Sequence, residues 1–132
     1  KLLIVNRSET HVMKHLLLTT IAAVLLATTS FADPIHDAAE NGDLAGVQAE
    51  LGKGVDVNVK GNGGLTPLLF AAWGHKEIAE LLIAKGADVN AIVTGGISKG
   101  QTPLDSTRLK ETADLLRKHG GKTGEELKAE GN

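Results

Sequence analysis

The chain has 132 residues, of which 42% are hydrophobic and 2% aromatic, the length of one ordinary domain. Beyond residue 32 it carries eleven Lys or Arg against fifteen Asp or Glu, a net charge of about −4. This balance argues against a phosphate-backbone ligand, and the absence of cysteine excludes disulfides, thiolate metal sites, cysteine nucleophiles and a lipidated-cysteine tether.

The first element read along the chain is a targeting segment, residues 13–32. Met13, Lys14 and His15 precede an apolar run from Leu16 to Ala27, and TTSFA follows. That order of charge, apolar stretch and small residues predicts a secretory signal peptide cut after Ala32, where Ser30 and Ala32 flank Phe31. A transmembrane anchor needs about 20 apolar residues, more than this run supplies. Residues 1–12 then read as an upstream extension, so the N-R-S sequon at Asn6 carries no weight. The expected product is exported, to the periplasm or the medium, without stable membrane association after cleavage.

From Asp33 onward the chain repeats itself. DPIHDAAENGDL begins at Asp33, TPLLFAAWGHKEI at Thr66 and TPLDSTRLKETADLL at Thr102, spacings of 33 and 36. LGKGVDVN and LIAKGADVN recur in the second halves, and LRKHGGK closes the last. Pro67 and Pro103 suit a first helical turn, and Asp33, Thr66 and Thr102 before the prolines suit N-caps. Ile78, Ala79, Leu81 and Leu82 form a stripe of helical period, so Leu81 and Leu82 are both expected in the core. Gly54, Gly86 and Gly120 follow as left-handed helix ends. A helix pair with Phe70 and Trp73 as its only aromatics buries little alone, so stacking is required.

A period of 33 carrying T-P-L, A-A, a G-H turn, L-L and G-A-D-V-N resembles the ankyrin repeat. The resemblance implies an all-α solenoid of about three helix-turn-helix units linked by β-hairpin-like fingers, with repeats at 33–65, 66–101 and 102–121. Residues 122–132 read as a polar, mobile tail, although Thr123 and Glu126 have the spacing of a capping box and permit a short frayed helix. In the family, a His after T-P-L bonds the Thr hydroxyl. Here His36 keeps that place facing Asp33, whereas Leu69 and Asp105 replace it in the later units. Glu50 stands where a core Leu is usual. The third unit is short and lacks the glycine turn, so its helices either merge or join abruptly.

No constellation for catalysis stands out. G-G-K-T at 120–123 follows a helix and lacks the first glycine of a phosphate loop, so it reads as a helix end. His36, His75 and His119 fall one per repeat, never four apart, which gives no zinc-protease spacing and suits structural roles for the first two and a helix-end cation for the third. Ser98 and Ser106 lack an elbow motif and a base. Neither cofactor nor metal is expected.

The resemblance implies a monomeric, non-enzymatic protein–protein interaction module, an adaptor or inhibitor acting outside the cytoplasm. A membrane-held spacer with an uncleaved leader, or an accessory subunit of an exported enzyme, are the alternatives. Family positions for ligand contact map onto Asn62, Gly63 and Leu65 before the second unit, and Ser98, Lys99 and Gln101 before the third. Trp73 falls just after A-A on the same face, and the longer finger around Ile92, Val93 and Ile97 is the other candidate.

Overall fold

The computed structural model describes residues 33–131, so the extension and leader read from residues 1–32 lie outside them. Seven α-helices are described: α1 Pro34–Asn41, α2 Leu44–Gly52, α3 Pro67–Ala72, α4 Lys76–Ala84, α5 Pro103–Ser106, α6 Lys110–Lys118 and α7 Gly124–Gly131. The first six form three pairs. α1 packs on α3 and α3 on α5 as one layer, while α2 against α4 and α4 against α6 form the second. This is the expected solenoid, and no strand occurs among the described residues.

Local chemistry explains the helix bounds. Pro34, Pro67 and Pro103 each open a helix at its first turn, where the missing N–H has no intrahelical acceptor to lose. Of the three expected caps only Thr102 bonds its helix, in a reciprocal capping box with Asp105. Asp33 instead sits 3.4 Å from the His36 ring. Thr66 keeps its hydroxyl buried without a protein partner, because Leu69 occupies the place of the histidine that would have bonded it. Asp43, which the repeat pattern did not suggest, caps α2 by accepting from the Gly46 N–H at 2.9 Å. Gly54, Gly86 and Gly120 end their helices at φ +90°, +94° and +85°, as expected of left-handed caps.

The core is built from small aliphatic groups. Ile35, Val47, Leu68, Ile78, Leu82 and Leu116 interlock with Ala38, Ala39, Ala71 and Ala79. The alanines let helices of successive units approach closely, which is how a chain poor in aromatics fills its interior. Leu81 is only half-buried, so one of the two leucines expected in the core lies at its margin. Glu50, in a core-like position, is half-buried and pairs with Lys53 at 2.6 Å.

Two side-chain amides tie the units. Asn58 accepts from the Asp88 N–H at 2.7 Å and donates to the Gly86 carbonyl at 3.3 Å. Asn90 repeats the pattern one unit on, with the Lys122 N–H at 2.8 Å and the Gly120 carbonyl at 3.1 Å. Each amide satisfies groups left open by the helix end of the next unit. The third unit keeps two separate helices: Thr107 and Leu109 are extended between α5 and α6, and the Thr107 hydroxyl accepts from the Leu109 N–H at 3.2 Å.

The tail carries the short helix that its capping-box spacing permits. Its capping box forms, with Glu126 accepting from the Thr123 N–H at 2.6 Å and Thr123 from the Glu126 N–H at 3.2 Å, and α7 follows. Arg117 pairs with Glu126 at 2.8 Å, and the Gly124 N–H donates to Asp105 at 2.7 Å, fastening α7 to the third unit.

Candidate functional site

The first finger ends in a tight 3-10 turn, Asn62–Gly64, in which Asn62 and Gly63 are exposed and Leu65 is half-buried. The second finger closes through the Val93 N–H to the Gln101 carbonyl at 3.0 Å and the Gly100 N–H to the Val93 carbonyl at 2.8 Å. Hairpin closure is therefore present as paired backbone bonds without extended strands. Between those bonds Lys99 and Gln101 are exposed and Ser98 is half-buried. Ile97 is fully exposed at the tip, whereas Val93, read as part of the reaching finger, is buried.

The fingers are joined to each other. The Gly63 carbonyl accepts from the Thr94 N–H at 2.8 Å, the Gly95 N–H at 3.0 Å and the Thr94 hydroxyl at 3.2 Å. A Cβ on Gly64, at φ +78°, would lie 2.5 Å from the Thr94 hydroxyl oxygen, so glycine is required for this approach. Gly63 thus has a positioning duty: its carbonyl sets the distance between Asn62 and Leu65 on one finger and Ser98, Lys99 and Gln101 on the next.

Trp73 stands at the other end of α3. Six residues of helix, about 9 Å of rise, separate it from the finger at Thr66. It is 46% exposed and meets Phe70 edge to face at 4.9 Å, and Phe70 in turn meets the His36 ring at 5.6 Å. The structure therefore joins the two fingers that carry the other six residues through Gly63 and sets Trp73 apart from them along the same helix layer.

The histidines hold this layer in place. His36 Nε2 is 3.0 Å from the Val59 carbonyl, linking α1 to the first finger. His75 Nε2 is 2.9 Å from the Glu40 carbonyl, linking the second unit back to the first. Gly42, at φ +76°, makes room, since a Cβ there would lie 2.7 Å from the His75 ring. His119 caps the end of α6 and is exposed. Among the described residues no group of three His, Cys, Asp or Glu could hold a metal ion.

Phe70 was missed as a site residue, although its spacing of three from Trp73 places both on one side of a helix. Asp37 and Glu40 were missed too. They lie 33 residues before Phe70 and Trp73, and the repeat period alone makes them neighbours in the stack.

A family model described as ankyrin repeats, with three copies, matches residues 2–93 and 35–122. Among solved structures, the crystal structure of the human ASB11 ankyrin repeat domain is similar over 69% of this chain, at 28% identity and a TM-score of 0.62. The match covers 41% of that chain, so this one spans less than half its length. No match is found among curated proteins.

Proposed function

The chain belongs to the ankyrin-repeat family, and on that premise we propose that it is an exported adaptor or inhibitor, monomeric and non-enzymatic, that binds a protein outside the cytoplasm. Ankyrin repeats are protein–protein interaction modules on a scaffold that is typically non-enzymatic. The partner meets the layer carrying Asn62, Leu65, Trp73, Ser98, Lys99 and Gln101. One observation carries this: the single Trp of the chain is 46% exposed yet braced edge-on by Phe70, a rigid aromatic held at the surface. Tryptophan at a surface patch is enriched among residues that dominate binding energy.

Trp73→Ala therefore weakens capture of the native partner by about thirtyfold, the equivalent of about 2 kcal/mol, while the melting temperature moves little. Lost stability with intact affinity would make Trp73 a packing residue and move the search to the finger around Ile97. Export rests on the pattern of residues 13–32. Mass spectrometry of the cell-derived protein is expected to find Asp33 as the N-terminus. A retained leader would favour the membrane-held spacer instead.

A further inference from the structure

The side chains around Trp73 specify a chemistry for the partner. One repeat earlier, Glu40 occupies the position of Trp73 and Asp37 that of Phe70. The contacts agree with this register. Phe70 meets the ring of His36, next to Asp37, and His75, two residues past Trp73, lies against the Glu40 carbonyl. A carboxylate and an indole thus hold equivalent places on neighbouring units, with Glu40 exposed and Trp73 46% exposed.

Asp37 and Glu40 lie three apart on α1, on one side of the helix. Neither carboxylate forms an ion pair among the described residues. Asn41 bonds the backbone carbonyl of Asp37, leaving the acid uncommitted. The patch thus offers negative charge one repeat along from an exposed aromatic ring.

We propose that this patch seats an arginine side chain of the partner protein, its guanidinium against Trp73 and its N–H groups toward Asp37 and Glu40. The assignment rests on the interaction face described above. A guanidinium is planar and weakly hydrated, so it stacks on an indole and still presents donors to carboxylates. Lysine, a strongly hydrated point charge, loses more on leaving water.

The test uses the full chain and its own fluorophore, since Trp73 is the only Trp present. The probe is the blocked peptide Leu-Gly-Arg-Gly-Leu, compared with the same peptide carrying citrulline, which keeps the shape and loses the charge. The arginine peptide should shift Trp73 emission saturably. Citrulline should bind at least tenfold more weakly, as should the arginine peptide to the Asp37→Asn, Glu40→Gln double variant with an unchanged circular dichroism spectrum. Equal binding of both peptides, an indifferent double variant, or no saturable change would overturn the proposal. Capture of the native partner separates it from the reading beneath it. If Trp73→Ala loses the partner and the double variant keeps it, the face stands and the arginine assignment falls. If Trp73→Ala keeps the partner, both fall, and loss in both variants supports both.

Discussion

Thr66 shows how one substitution inside a repeat leaves a trace elsewhere. Its hydroxyl is buried and unpaired because Leu69 fills the place of a bonding histidine. A buried polar group without a partner costs about 1–3 kcal/mol, and this hydroxyl makes no cap bond to be lost. Thr66→Val, nearly isosteric, should raise the urea midpoint by the equivalent of about 1 kcal/mol; a lower midpoint would mean the hydroxyl does contribute. Leu81 and Leu82 make a second contrast. Leu82 is fully buried, whereas Leu81 is half-buried beside Leu51, Val55 and Val57 along a groove between α2 and α4. Leu82→Ala should cost about 2–5 kcal/mol, and Leu81→Ala less than half as much, measured by urea unfolding. Equal losses would place both in one core. The apolar stripe on α4 was legible as a stripe. Which of its leucines faces the centre was not, because that depends on helices of the neighbouring unit.

At the scale of elements, α7 is capped by the Glu126 carboxylate. The Thr123 N–H, and after it the Arg117 guanidinium, hold Glu126 at about 2, below its ordinary 4.5. A depressed acid adds stability that is fully present above the ordinary value and is lost as pH falls toward the depressed one. Amide protection of α7 should therefore decline between about pH 4.5 and 2, while α3 and α4 hold theirs over the upper part of that window. Glu126→Gln should show weak α7 protection already at neutral pH and no further decline there. Protection of α7 that is equal in both proteins at neutral pH would remove Glu126 from this role. The capping-box spacing of Thr123 and Glu126 was readable along the chain. The anchors that turn a frayed helix into a docked one, Asp105 and Asn90, sit in other units at distances no local pattern encodes. The same holds for the fingers, whose pairing through the Gly63 carbonyl spans 31 residues.

For the whole molecule, the period of 33 was enough to give the architecture, since each unit repeats the same proline and glycine end and the first two share an alanine pair. The placement of the two fingers between units followed from it as well. The acids beside Trp73 required laying one repeat over the next. Stability in such a stack is approximately a sum of unit terms and nearest-neighbour terms. Inserting a second copy of residues 66–101 after Gln101 should therefore raise the melting temperature, with the asparagine bonds continued through the new copy. A lower melting temperature would show that the neighbouring units do not accept one another as copies. Those bonds also have a terminus. Asn58 and Asn90 each stand four residues past the glycine that ends a helix, and the residue at that offset from Gly120 is Gly124. A Cβ on Gly124 would lie 2.1 Å from the Gly100 carbonyl oxygen, too close for any side chain. The position where another rung would be needed is the one that admits no amide. Such an array can gain copies from within, because every middle unit brings its own asparagine, whereas Gly124 carries no amide to pass the bond on.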